Sequence, residues 1–327
     1  MRIYLWLLLL AASSLGAHSI VFIHLGQRFP DYLLTAIDQA RLFNPDCPIY
    51  VIVNQRAMQG RQALTKNGEI YVMAESLPQE PAHQLFKQRS KLDRTFRGGF
   101  WLYATERFFY LHELIKKYEL SDVIHLESDV MLYREAEDLL PPLQAHYAGK
   151  IGATFDHNGR CIAGFFYVSE EAPIEKFTRF LSEKAFLQYN DMEFLVAFKE
   201  HEEGRWIEQL PIIMPAYVEN HPLISPHEHR GDPPGPFYNY FDEFQSIFDA
   251  AAIGQYIGGT DPKNNAGGPG FINESCVFNP SYFQYEWIVD EKGRRFPVAI
   301  YQTQAYRINN LHVHCKNLKP FYSGVTQ

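Results

Sequence analysis

Short apolar runs alternate with segments of helical period along the N-terminal part of the chain, and this alternation restricts the fold more than any other feature. Ser19-Ile-Val-Phe-Ile-His-Leu-Gly26 is apolar almost throughout and stops at a glycine, as a strand covered on both faces does. Pro30 precedes a segment, Asp31–Phe43, whose apolar residues recur at helical spacing. Pro48-Ile-Tyr-Val-Ile-Val53 and residues 69–73 read as two further strands. A β-α-β-β opening predicts an α/β chain built on a Rossmann-type, mostly parallel sheet with flanking helices.

The same reading continues downstream. Phe100–Tyr118 is predicted as a helix with Trp101, Thr105, Phe108, Leu111 and Ile115 on one face. Asp122-Val-Ile-His-Leu126 follows as a strand, residues 151–155 and 163–168 as two more, and residues 173–185 and 191–201 as helices. Residues 218–236 and 258–270 dissolve into Pro, His and Gly and predict two long loops. Between them, residues 240–256 end in a helical pattern, and short strands at 298–302 and 311–314 close the chain.

Composition excludes some classes. Of 327 residues, 46% are hydrophobic and 21% charged with mixed sign, enough apolar material for a core and too little bias for disorder. A net charge of −8 with no basic cluster argues against nucleic acid as a partner. At the start, Arg2, the apolar residues 4–12 and the small residues Ser13, Ser14, Gly16 and Ala17 make a signal peptide or short membrane anchor over 1–17. The run is shorter than the ~20 residues of a spanning helix. Such a segment would place the chain in the secretory pathway (ER or Golgi lumen) of a eukaryote, or in the envelope or outside of a bacterium, with membrane association through the N-terminus. Cys47, Cys161, Cys276 and Cys315 follow no zinc spacing, and their pairing in an oxidising compartment is not readable from sequence. Asn273-Glu274-Ser275 is a glycosylation sequon.

The chemistry concentrates at Glu127-Ser128-Asp129, directly after Val-Ile-His-Leu. Ligands of open α/β sheets bind at the carboxyl ends of strands. Strand side chains alternate, so both carboxylates point to one side. There they repel unless a cation lies between them. A hard divalent ion, Mn²⁺ or Mg²⁺, takes such oxygen ligands and bridges to a diphosphate.

An apolar strand ending in an acidic-x-acidic triplet and followed by Val-Met-Leu resembles the metal-binding motif of GT-A fold glycosyltransferases, glycogenin-like and related families. Their usual triplet is Asp-x-Asp; here Glu127 takes the first place. Other segments are similar in the same order. Arg107 lies in the preceding helix, where related enzymes carry an Arg that helps seat the donor. Cys161-Ile-Ala-Gly-Phe-Phe-Tyr-Val168 looks like their small-residue strand, with Gly164 leaving room for the sugar. Asp191, in Asn190-Asp191-Met192-Glu193, resembles the aspartate beside the donor sugar, or else it caps the helix that follows. Leu311-His312-Val313-His314-Cys315-Lys316-Asn317-Leu318-Lys319-Pro320-Phe321 looks like their C-terminal His…Lys-Pro-aromatic ending. By that analogy His314 is the third metal ligand, with His312 the competitor on the same side, and Lys319 or Lys316 meets the diphosphate.

The resemblance implies a single GT-A-like domain over 18–327, with a nucleotide-sugar half at about 18–170 and a C-terminal acceptor-side extension at about 171–327. It implies transfer from a nucleotide sugar, first a UDP-sugar, to a glycan, lipid or protein acceptor. Asp249, an acid inside the apolar run at 246–257, is either the general base for the acceptor or a helix cap. Tyr238, Tyr240 and Phe241 are either sugar-stacking rings or core. Two rivals stand beside this reading. One is a zinc hydrolase using His312/His314 and His227/His229, which lacks a helical His-Glu-x-x-His. The other is a non-catalytic secreted glycan binder or inactive glycosyltransferase relative.

Overall fold

The apolar runs lie side by side in one sheet. The computed structural model describes residues 18–59, 68–221, 235–264 and 267–324. The predicted signal or anchor at 1–17 lies outside these residues, as do 222–234 with His227 and His229.

The main sheet holds β1 (Ser19–His24), β2 (Ile49–Val53), β3 (Ile70–Met73), β4 (Val123–Leu126), β6 (Ile151–His157), β7 (Arg160–Val168) and β8 (Ile207–Gln209); β5 (Val130–Leu132) lies outside it. Its order is β3-β2-β1-β4-β7-β6-β8. All strands run parallel except β7, which is antiparallel to both neighbours. The chain winds outward from β1 to β3, then returns to place β4 on the other side of β1. This reversal lies at the carboxyl ends of β1 and β4, where doubly wound sheets take ligands in a crevice. Both central strands are buried along their length, so they read as continuous apolar runs in the sequence.

The Asp31–Phe43 and Phe100–Tyr118 helices form where the spacing places them. The second is buried from Thr105 to Ile115 all round rather than on one face. It lies under the sheet, with Phe108 against Phe166 of β7 and Phe177 of the Glu171–Glu183 helix. Two of the longer helices went unseen in the sequence. Pro81–Arg89 buries only His83 and Phe86, too few positions to show a period. Ala136–His146 contains Pro141 and Pro142, residues that ordinarily end a helix.

The C-terminal part adds a second sheet, β10-β11-β12-β9, from β9 (Ser246–Ile247), β10 (Gln284–Val289), β11 (Arg295–Tyr301) and β12 (Gln304–Ile308). One further strand, β13 (Asn310–His312), leaves that sheet and pairs antiparallel with β5. The four cysteines are free thiols; Cys47, Cys161 and Cys276 are buried. Among the described residues, no helix is long and apolar enough to cross a membrane.

Candidate metal centre

The Glu127 N–H donates to Gly164 O at 3.1 Å, which fixes the end of β4 against β7. The chain then turns at Ser128–Asp129, with the Val130 N–H donating to Glu127 O at 3.0 Å, and continues as β5. Strand alternation therefore does not bring the two carboxylates together; a turn between two strands does. Because β13 pairs with β5, His312 stands opposite Val130. The pairing continues where the Val313 N–H donates to Asp129 O at 2.9 Å. His312 Nε2 comes within 3.3 Å of Glu127 Oε2 and 3.2 Å of Asp129 Oδ2.

His312 thus takes the place expected for His314. The strand ends at His312, where the His314 N–H folds back onto His312 O at 2.9 Å and the Lys316 N–H onto Val313 O at 3.0 Å. The period-two relation between the histidines is lost in this turn. The His314 ring centroid lies 6.0 Å from that of His312, and its Nδ1 accepts the Asp261 N–H at 2.8 Å. Lys316 adopts a left-handed φ of 62°. From there it returns its ammonium to Asp129, with which it forms an ion pair. Lys319 is exposed at the start of a short 3-10 turn, so Lys316 is the lysine at the carboxylates.

Arg107 reaches the same place from the buried helix. Its guanidinium pairs with Glu127 and donates through Nη2 to Asp191 Oδ2 at 2.9 Å. Asp191 does not cap its helix. Asn190 does, in a capping box with Glu193, and this leaves the Asp191 carboxylate free to turn inward. Burial works to raise the Glu127 carboxyl, but Arg107 and His312 overcome it and hold it below its ordinary value. Burial is likewise outweighed at Asp129, where Lys316 and His312 hold the carboxyl far down. At Asp191 burial prevails over Arg107 and the carboxyl is raised. His312 is raised, because Asp129 and Glu127 outweigh its burial.

The residues fit a divalent cation. Ligand atoms of Glu127, Asp129 and His312 all lie within 4.8 Å of one another. The two imidazole-to-carboxylate distances match the ~3 Å edge between neighbouring ligands around an ion with ~2.1 Å bonds. Two carboxylates suit Mn²⁺ or Mg²⁺, and the imidazole favours the transition ion.

The other expected residues fall as follows. Gly164 abuts His312; a Cβ there would lie 2.9 Å from His312 Nδ1, so the glycine makes room for the imidazole. Asp249 is wholly buried and accepts the backbone N–H groups of Ile253 and Gly254, each at 2.9 Å. It serves the first-turn N–H groups of the Ala252–Gly258 helix from two residues ahead of the N-cap, Ala251, and is not exposed to an acceptor. Tyr240 stacks on His146 with centroids 4.0 Å apart, Phe241 is buried, and Tyr238 packs on the core, so these rings serve packing. Sequence reasoning missed Tyr32, whose ring lies 5.8 Å from Lys316 Nζ. Its only signal was its place just after the first strand. It also missed Asp261, which holds His314 and, at 3.8 Å, pairs with Arg97.

No protein-family model and no curated protein matches the chain. Several solved structures share part of its fold. The galactosyltransferase LgtC, in complex with donor and acceptor sugar analogs, is 18% identical over 71% of this chain and 85% of its own, with a TM-score of 0.42. Mouse xyloside xylosyltransferase 1 is 11% identical over 70% and 92%, at 0.40. The PaToxG glycosyltransferase is 11% identical over 57% and 68%, at 0.41. Overlaps this partial leave the chemistry to the geometry of the site itself.

Proposed function

We propose that the chain is a metal-dependent glycosyltransferase that moves a sugar from a nucleotide-sugar donor, a UDP-sugar first, to a glycan, lipid or protein acceptor. The observation that carries this reading is the convergence of Glu127, Asp129 and His312 with two cations, Arg107 and Lys316, at the crevice beside β4. Carboxylates and an imidazole hold a divalent ion, the guanidinium fixes the carboxylates, and the adjacent Lys316 ammonium suits an anionic diphosphate.

In this reading Glu127, Asp129 and His312 bind Mn²⁺ or Mg²⁺. An ion held by these residues would supply Lewis-acid chemistry to a departing diphosphate. Lys316, half-buried at the same crevice, offsets further charge on the leaving group. Arg107 holds Glu127 and Asp191 in fixed orientation, and in this reading Asp191 is the carboxylate that would meet the donor sugar's hydroxyls. The buried floor formed by β1, β4 and β7 excludes water from that side.

A thermal-shift titration with UDP or GDP, with and without Mn²⁺, tests the proposal. A nucleotide shift that requires the metal is expected. No shift with any nucleotide would replace this reading with that of a glycan-binding protein without transfer activity, and glycan arrays would then identify the ligand.

A further inference from the structure

A metal-binding imidazole ordinarily donates its second ring N–H to a carboxylate or carbonyl, which fixes the ring. Among the described residues, His312 has no such partner. Its Nδ1 is buried, unpaired and set against Gly164. The main chain of His312 is anchored instead. Its N–H donates to Asp249 Oδ2 at 2.9 Å, and the same oxygen accepts the Gly254 N–H at 2.9 Å. Oδ1 accepts from Ile253. The Asp249 N–H donates to Asn310 Oδ1, and Asn310 Nδ2 donates to Asp249 O, both at 3.3 Å. On the other side of the His312 peptide, Gly254 touches the carbonyl so closely that a Cβ there would lie 2.0 Å from it.

Helix capping alone does not call for this residue. Ser or Asn caps a helix as well as Asp. Two oxygens that accept three N–H groups from two different elements require a carboxylate. A buried carboxylate is costly unless its oxygens are satisfied, and here the N–H groups of a helix and of β13 do so.

We infer that Asp249 is a positioning residue for the metal site: it holds the His312 main chain against the Ala252–Gly258 helix and so sets where the imidazole meets Glu127 and Asp129. The inference rests on the metal-site reading above. It replaces the role of general base, which a wholly buried group does not reach.

The test is Mn²⁺ affinity of the full chain, from the electron paramagnetic resonance signal of free Mn²⁺, alongside metal-free denaturation. Asp249→Asn keeps the shape but turns an NH₂ toward an N–H. Asp249→Ser keeps an acceptor oxygen beside the helix start but is too short to reach His312. Both variants are expected to unfold cooperatively and to bind Mn²⁺ ~10–100-fold more weakly, the range for lost supporting contacts. With saturating Co²⁺, the visible absorption of both should differ from that of the unsubstituted chain, a change that lowered stability alone does not cause. Unchanged affinity in folded Asp249→Asn, where His312→Ala loses binding, would overturn the inference and leave the metal site standing. Full binding in His312→Ala would overturn the metal-site reading itself. Loss of the fold in both Asp249 variants would also overturn the inference, since the carboxylate would then determine the fold and not the ligand's place.

Discussion

Arg107 and Asp191 lie 84 residues apart and meet at 2.9 Å, both buried, with Glu127 on the other side of the guanidinium. Neither carboxylate tolerates this environment unpaired. Arg107→Met is therefore expected to cost about 3–5 kcal/mol, the range for removing one partner of a buried ion pair. Arg107→Lys, which reaches one carboxylate but not both, should cost less. Urea unfolding of the three proteins measures this; equal midpoints would show that the pairs contribute nothing to stability.

Asp129→Ala removes the carboxylate shared by His312 and Lys316. It should leave a cooperative fold and abolish any Mn²⁺-dependent nucleotide shift. In the unsubstituted chain, ligand at a hundred times Kd would add about 2.7 kcal/mol. A metal-dependent shift that survives in Asp129→Ala would remove this residue from the ligand set.

The two histidines separate cleanly. His312→Ala should weaken Mn²⁺ binding by at least ~10-fold. His314→Ala loses only the contact to the Asp261 N–H, and its affinity should stay within about twofold. Calorimetric titration of both variants decides between them, and the reverse ranking would restore His314 as the ligand.

Gly164→Ala places a methyl 2.9 Å from His312 Nδ1 and 3.3 Å from a Val130 methyl. The ring must move or the strands must part. A loss of about 1–3 kcal/mol is expected together with weaker metal binding. Normal affinity in a stable Gly164→Ala variant would show that the ring is free to shift.

A pH effect arises away from the site. His83 Nδ1 lies 2.8 Å from Glu113 and Nε2 3.3 Å from Glu106, all three buried. Burial alone would lower the imidazole, but the two carboxylates prevail and raise it above 6.5. A raised folded value means a contribution fully present below the unfolded value of 6.5 and lost as pH rises through the folded one. His83→Gln should therefore lower the melting temperature more at about pH 6 than at about pH 9, by about 1–2 °C for each kcal/mol. Equal losses at both pH values would assign His83 to packing alone.

The parallel half of the fold was readable because its strands are buried on both faces and its helices carry clear periods. Glu127, Asp129, Arg107, Asp191 and Lys316 were all legible as candidates and converge in space. The choice between His312 and His314 was not, because alternation holds only while a strand lasts, and this one ends between them. Asp249 was noticed as a buried acid, but the partners that explain it lie on β13, out of reach of local patterns. The Ala136–His146 helix was hidden by its own prolines.

The pairing of β5 with β13 also bears on biosynthesis. Both carboxylates precede the imidazole and Lys316 in the chain, so synthesis delivers the acidic turn before β13 and the residues that follow it. A nascent or truncated chain that stops before residue 310 carries the acidic turn without its third ligand or its counter-charge. Competence to hold a cation thus waits until the chain has been made past Lys316.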